Sequence, residues 1–377
     1  MTRSLGFNQL IQLFEQTHSE LQQRAARRVD TFLVIRNWLF GWYIVEFEQG
    51  GSDRAEYGNR LIRELSRALG ERGLKGVSST NLKQFRTFYL SRKSIGPAAG
   101  EFSLPEVRKG QSAPDLFPAL PEAIRTDLSL ICDTLSDNFR LSWTHYVSLL
   151  TVDSPEERRF YEIEAEANGW SVRELERQIA SSLYERLALS RDEGEIRRLA
   201  QEGQVVEKAA DLIKNPLVLE FLGLEEKSSY SETDLESAII DRLEQFLLEL
   251  GKGFLFEARQ KRFTFDNDHF YVDLVFYNRL LRCYVLIDLK RDKLTHQDLG
   301  QMQMYVNYFD RHVKLDDELP TVGIVLCRRK NDALVELTLP AEANIFASKY
   351  QLYLPSKQAL KDELERITEE IEGGPQG

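Results

Sequence analysis

The pattern of apolar and polar residues changes at about Ser231. Before that point, apolar residues recur at helical spacing over residues 1–94 and about 122–222, with almost no strand signal. After it, a helix is predicted to about residue 250, because Ser231 and Thr233 each have an acidic residue three positions on, as in a capping box. Strands are predicted at 254–265, 270–277, 283–289 and 321–327, with a helix at 297–309. This order predicts a compact α/β domain preceded by a mainly α-helical region.

The division between these two regions is placed at residue 222, giving a helical region 1–222 and an α/β domain 223–377. Within the first region, 95–121 holds five of the 11 prolines and is predicted to be a long loop or linker. The N-terminus has no secretion signal, and the apolar run 31–47 is interrupted by charged and amide side chains, so a cytoplasmic protein without a membrane span is expected. A homo-oligomer is compatible with this sequence.

Two predicted strands carry acidic residues in their middle. Alternation places Asp273 on a face with Tyr271, Val275 and Tyr277, opposite the face of Val272 and Leu274. Asp288 and Lys290 share a face of the next strand, about 7 Å apart along it. A buried carboxylate needs a compensating charge, and one lysine offsets only one of the two acids. Mg²⁺, or Mn²⁺ in its place, would supply the missing charge and would also bind a substrate phosphate.

Three helical residues are candidates for the same site. Glu236 lies within the apolar arc of the helix that begins near Ser231, so it either joins the two aspartates or only completes a capping box with Thr233. Gln301 and Tyr305 are four residues apart and share a helical face, which is either functional or simply the packed face of a core helix.

The spacing of these residues resembles that of PD-(D/E)XK nucleases. The runs LLELGKGFLFEARQKRF, YVDLVFYNRLLRCYVLIDLK and GQMQMYVNYFDR, together with RAEYGNRLIRELS, SSTNLKQFRTFYL, LSWTHYVSLL and WSVRELERQI in the first half, are similar to the YhcG family of bacterial proteins. The resemblance covers nearly the whole chain and implies a Mg²⁺-dependent nuclease fold. By its motifs Asp273, Asp288 and Lys290 take the catalytic positions, and Glu236, Gln301 and Tyr305 support them. Val272 stands where the motif has its proline.

The expected chemistry is hydrolysis of a phosphodiester bond. Asp273, Asp288 and the Leu289 carbonyl would hold the metal ion, with Glu236 as a further ligand, and Lys290 would orient the attacking water or stabilise the transition state.

A nucleic-acid partner would need a local basic patch, because the formal net charge is -11. Residues 71–93 carry six basic residues against one acidic residue. A turn followed by a helix in this segment has the layout of a helix-turn-helix recognition helix, although an ordinary solvated helix face would give the same pattern. The nucleic-acid-binding candidates are Lys75, Thr80, Lys83, Gln84 and Arg86, with a second patch at Arg259 and Lys261 beside the proposed site.

DNA is therefore the predicted substrate, with RNA as an alternative that shares the chemistry. A different class of function also fits: a DNA-binding assembly protein whose nuclease fold is a scaffold or is active only in a larger complex.

Overall fold

The computed structural model divides the chain into two compact units. The described residues are 7–24, 29–50, 60–95, 135–136, 138–189, 191, 193–224, 230–340 and 342–362. One unit comprises Met1–Arg158 and Ala165–Leu175, and the other comprises Arg159–Glu164 and Glu176–Gly377. Most of the predicted proline-rich segment, 96–121, lies outside the described residues.

The first unit is built from helices packed through aromatic rings. Its helices are α1 (Phe7–Arg24), α2 (Val29–Gly50), α3 (Leu61–Glu71), α4 (Ser79–Ser91) and α5 (Trp143–Leu149). Phe14 stacks on Phe40 with ring centroids 4.2 Å apart, and Phe40 meets Phe85 edge to face. Helices α2 and α4 approach so closely that a Cβ at Gly41 would lie 2.1 Å from the Phe85 carbonyl oxygen, so glycine is required there. Within the described part of the chain, no helix is long and apolar enough to span a membrane.

Two helices contribute residues to both units, and the second unit continues to the end of the described chain. The shared helices are α6 (Pro155–Asn168) and α7 (Val172–Ala180). The following elements are α8 (Leu183–Ala188), α9 (Glu193–Glu202), β1 (Leu217–Val218), α10 (Glu232–Asp241), α11 (Leu243–Leu250), β2 (Phe254–Phe265), β3 (Asp268–Asn278), β4 (Cys283–Lys293), α12 (His296–His312), β5 (Val322–Arg329), α13 (Asp332–Thr338) and β6 (Ile345–Gln351). The predicted strands β2 to β5 and the helix α12 are thus confirmed: β2 has the predicted bounds, β3, β4 and α12 are slightly longer, and β5 is shifted by one to two residues.

The second unit is organised around one six-stranded mixed sheet. The strand order is β1-β6-β5-β4-β3-β2. Strands β2, β3 and β4 are antiparallel neighbours, whereas β4, β5, β6 and β1 run parallel. Helix α12 connects β4 to β5, since parallel neighbours need a crossover between them.

Apolar layers cover both faces of the sheet. Leu235 and Ile239 of α10 and Phe246 of α11 pack on one face. Met302 and Tyr305 of α12 pack on the other face, which we call the α12 face. The two layers cover the middle of β3 and β4, where Asp288 is buried and Asp273 is half-buried.

The predicted helix to residue 250 is interrupted at Arg242, whose φ of -121° and ψ of 33° are not helical. The apolar period continues through this break, so the pattern gave no sign of it. Ser231 and Asp234 cap α10 reciprocally, with the Ser231 amide donating to the Asp234 carboxylate at 2.8 Å. The predicted capping box of Thr233 and Glu236 is wrong, because Glu236 has other partners, described below.

The predicted helical region 1–222 also differs from the structure near its end. Leu217 and Val218 form strand β1, which pairs with Tyr350 and Gln351 of β6, and residues 176–222 cluster with the sheet rather than with the first unit. A two-residue strand has no period of its own and is defined by a partner more than 130 residues away, so periodicity cannot reveal it.

Candidate functional site

Asp288 and Lys290 lie together near the end of β4. Strand alternation sends both side chains to the α12 face, and Lys290 Nζ lies 2.8 Å from Asp288 Oδ2. Asp288 is only 1% exposed. Burial and the charge of Asp273 raise the pKa of Asp288 to about 7, although Lys290 opposes this. Burial alone would lower the pKa of Lys290, but the charge of Asp288 outweighs it and raises that pKa.

Asp273 reaches the same place from β3. The pairing of β3 with β4 ends at Leu274 opposite Ile287, and beyond it Asp273 Oδ2 accepts a hydrogen bond from the Leu289 amide at 2.8 Å. The predicted alternation around Asp273 fails at this point, because Val272 packs on the α12 face whereas Leu274 packs on the opposite one. The regular ladder ends where Asp273 binds the backbone of β4.

Glu236 joins the site through an intermediate residue. It is 4% exposed, and its carboxylate accepts hydrogen bonds from Arg259 Nε and, at 2.6 Å, from Gln260 Nε2. The same Gln260 amide nitrogen donates to Asp273 Oδ1 at 3.0 Å. Gln260 therefore stands between Glu236 and Asp273, and the structure does not bring Glu236 directly to the two aspartates as a shared metal ligand would require.

Gln260 was not among the candidates from the sequence. Its φ of 48° lies in the left-handed region, which is uncommon for a residue with a side chain and concentrates at functional sites. Its position in the run FEARQKRF of β2 carries no signal of this conformation.

Gln301 and Tyr305 meet as predicted, since Gln301 Nε2 donates to the Tyr305 hydroxyl. Tyr305 is also part of the packed core on the α12 face, which confirms the explanation by packing, and its functional role stays a prediction. Burial raises the pKa of Tyr305, and the negative charges of Asp288 and Asp273 add to the rise, whereas the hydrogen bond from Gln301 and the charge of Lys290 oppose it.

The residues of this site suit Mg²⁺. Asp288 Oδ2 is buried and receives no hydrogen bond of good geometry, although the Lys290 ammonium is close. Among the described residues, no three Asp, Glu, His or Cys side chains converge on one point. Mg²⁺ is commonly held by one or two carboxylates with waters and substrate phosphate as the other ligands, so Asp273 and Asp288 are sufficient for it.

The predicted nucleic-acid candidates of the first unit lie on α4 and the turn before it. Lys75, Thr80 and Lys83 are exposed, and Gln84 and Arg86 are half-buried. Arg86 Nε is paired with Glu48 at 2.8 Å, so its charge is partly neutralised.

The second predicted patch is also partly neutralised. Arg259 is paired with Glu236, and Lys261 Nζ lies 3.3 Å from Glu257.

Comparison with known sequences identifies the part of the second unit that contains the mixed sheet as a PD-(D/E)XK nuclease domain. Family models match a YhcG PDDEXK nuclease domain over residues 210–365 and a DUF1016 N-terminal domain over residues 14–99 and 125–186. The protein named "Putative nuclease YhcG" of Escherichia coli (strain K12) is 40% identical over 350 residues, which are 92% of this chain and 91% of that relative. The chain belongs to the YhcG family.

Two solved structures overlap part of the chain at low similarity. One is the crystal structure of a repair endonuclease from Pyrococcus abyssi, 16% identical with a TM-score of 0.23 over 35% of this chain and 50% of that chain. The other is an EndoMS–dsDNA2 complex, 16% identical with a TM-score of 0.24 over 36% of this chain and 51% of that chain. Each overlap spans about half of the solved chain, and at these TM-scores neither carries an argument about this protein.

Proposed function

We propose that the protein is a Mg²⁺-dependent nuclease that hydrolyses phosphodiester bonds of DNA. The observation that carries this proposal is the group on β3 and β4: two neighbouring carboxylates, the buried Asp288 and the half-buried Asp273, beside one half-buried ammonium, Lys290. A buried carboxylate with a second carboxylate beside it, as Asp288 has, is costly unless a cation is bound. A site that binds a cation next to an ammonium can also bind a phosphate diester.

Asp273 and Asp288, with the Leu289 carbonyl, would hold the metal ion. When bound there, Mg²⁺ polarises the scissile phosphate and lowers the pKa of an attacking water. Asp288 holds the Lys290 ammonium at 2.8 Å, so Lys290 is fixed beside the phosphate, where it orients the water or stabilises the charge that develops on the phosphoryl oxygens. Preorganised charges of this kind need no rearrangement during the reaction.

The surrounding residues position these groups. Gln260 fixes one oxygen of Asp273 and is itself fixed by Glu236, so Glu236 is proposed to act through Gln260. Gln301 is proposed to orient the Tyr305 hydroxyl, whose pKa the charges of the two carboxylates help to raise.

DNA is proposed as the substrate because of the helix pair α3 and α4 in the first unit. The first turns of α4 expose Thr80 and Lys83, and in helix-turn-helix proteins the N-terminal residues of the second helix contact the bases. Lys75 in the preceding turn is exposed as well and would bind the phosphate backbone.

The test is a cleavage assay on the full chain. Plasmid, linear duplex, single-stranded DNA and RNA are incubated with Mg²⁺ or with EDTA. We expect DNA cleavage with Mg²⁺ that disappears in EDTA and in Lys290→Ala, whereas Lys208→Ala, an exposed lysine paired with Glu195, retains it. Cleavage of RNA alone would correct the substrate. DNA binding without cleavage under all conditions would contradict the nuclease and favour a DNA-binding assembly protein.

A further inference from the structure

Strand β4 contains one extra residue directly after Lys290. Lys290 is opposite Cys327 of β5, but the next aligned pair is Lys293 opposite Arg329. Three steps on β4 therefore match two steps on β5, which is a β-bulge at Arg291 and Asp292. Bulges next to active sites commonly redirect a side chain.

The bulge decides which charge lies beside the site. Cys327 packs on the α12 face, and Arg329, two residues further along β5, shares that face. Since paired residues lie on the same face, Lys293 joins Lys290 there. Without the extra residue, Asp292 would occupy this position and would place a negative charge opposite Arg329.

Lys293 and Arg329 are both exposed. Within the described part of the chain, neither side chain has an ion pair or a hydrogen bond, whereas the neighbouring Lys330 is paired with Asp332 at 2.6 Å. Like charges directly opposite each other on adjacent strands are destabilising, and an anion bound between them offsets that cost. The pair lies three residues beyond Lys290, a distance of roughly 7–10 Å along the strand.

We propose that Lys293 and Arg329 form a phosphate-binding subsite that holds the DNA backbone beside the scissile phosphate. The subsite rests on the proposed function, since it deepens the same site by adding the part that grips the flanking backbone. The bulge builds it by turning Lys293 in place of Asp292 toward the bound strand.

Binding of a short fluorescein-labelled DNA duplex to the full chain, measured by anisotropy in EDTA over a range of salt concentrations, tests the subsite. The variant Lys293→Gln/Arg329→Gln should bind at least about tenfold more weakly at physiological salt, with a salt slope shallower by about one to two units, because two phosphate contacts are lost. The matched control is Arg279→Gln/Arg311→Gln, which removes two exposed charges, one in the turn between β3 and β4 and one in the last turn of α12.

A second variant separates position from net charge. Asp292→Lys/Lys293→Asp keeps the composition but places a carboxylate opposite Arg329, so it should bind as weakly as the double glutamine variant. Weak binding by both variants with wild-type binding by the control supports the subsite. Wild-type binding by either Lys293 variant at every salt concentration overturns the subsite but leaves the proposed nuclease standing. Failure of the wild type to bind DNA in EDTA also overturns the subsite, and it overturns the proposed nuclease only if the wild type fails to cleave DNA with Mg²⁺ as well.

Discussion

Two buried carboxylates of the second unit, Glu249 and Asp288, have pKa values that their surroundings shift in opposite directions. Glu249 is fully buried, and its carboxylate accepts hydrogen bonds from Arg186 at 2.5 Å and Arg177 at 3.3 Å. Burial alone would raise the pKa of Glu249, but these guanidinium groups and Lys214 outweigh it and lower the pKa to about 2. Asp288 is almost as buried, yet its pKa is raised to about 7.

The difference lies in the balance of nearby charges. Glu249 has three cations around it, and its backbone carbonyl and one carboxylate oxygen also accept hydrogen bonds from Lys214 Nζ and the Val218 amide. The charge of Glu249 is therefore compensated within the protein, and we interpret this cluster as structural. Asp288 has one lysine, Lys290, which also lies within 4.0 Å of Glu232 and Asp298, and the nearby charge of Asp273 adds to that of Asp288. Asp288 is therefore left with excess negative charge around it. A buried acid that its own protein neutralises is structural, and one that is left under-compensated is a candidate for binding a cation.

The largest expected effect comes from breaking the structural cluster. Arg186→Met leaves Glu249 buried without its closest partner, and this should lower the free energy of unfolding by about 3–5 kcal/mol. The control is Arg198→Met, whose exposed guanidinium pairs with Glu202 and Glu207 and which should cost at most about 1 kcal/mol. Urea unfolding of both variants checks this, and equal stability would show that Glu249 does not depend on Arg186.

The stability contributed by the ionised Glu249 should also depend on pH. The pKa of Glu249 is lowered from 4.5 in the unfolded chain to about 2 in the fold, so its stabilisation is complete above pH 4.5 and is lost as the pH falls through about 2. The shift corresponds to about 3 kcal/mol. We therefore expect the difference in unfolding free energy between the wild type and Glu249→Gln to be constant near neutral pH and to shrink below pH 4.5. A constant difference down to pH about 3 would contradict the lowered pKa.

The comparison also explains what sequence reasoning could predict. Asp273, Asp288 and Lys290 could be singled out because charged residues stand in the middle of apolar strands, a local conflict that is visible in the sequence, although the alternation predicted around Asp273 is wrong. Glu249 poses a similar conflict, but its resolution by Arg186 comes from 63 residues away and leaves no local trace.

The features that the sequence did not predict also depend on distant contacts. Gln260 reaches Asp273 because of its backbone conformation, and the bulge that redirects Lys293 is defined only by pairing with β5. Both depend on tertiary contacts that a period of two or 3.6 residues does not encode.

The site of Asp273 and Asp288 should bind a metal ion, whereas the cluster around Glu249 is already neutralised and should not. Mg²⁺ at a hundredfold excess over its Kd should stabilise the wild type by about 2.7 kcal/mol, measured as a rise in Tm. Asp273→Asn/Asp288→Asn should show no rise, whereas the exposed pair Asp241→Asn/Asp316→Asn should respond like the wild type. In EDTA, Asp288→Asn should be at least as stable as the wild type. Its free energy of unfolding should be unchanged or up to about 2 kcal/mol higher, because a poorly compensated buried charge is removed. A metal response that survives the double substitution would place the cation elsewhere.

The smallest expected effect concerns Glu236, which shares features of both clusters. Like Glu249 it is buried and paired with an arginine, Arg259, but through Gln260 it also touches Asp273. Glu236→Gln keeps the size of the side chain and removes its charge, so Gln260 loses an anionic partner and holds Asp273 less firmly. Residues that orient metal ligands typically contribute 10–100-fold in metal affinity or activity, and we expect a loss in that range with a higher Mg²⁺ requirement. Glu257→Gln, which removes the exposed partner of Lys261 on the same strand, is the control and should leave the Mg²⁺ requirement unchanged. A Glu236→Gln protein with the Mg²⁺ dependence and cleavage rate of the wild type would make Glu236 a purely structural acid, as Glu249 is.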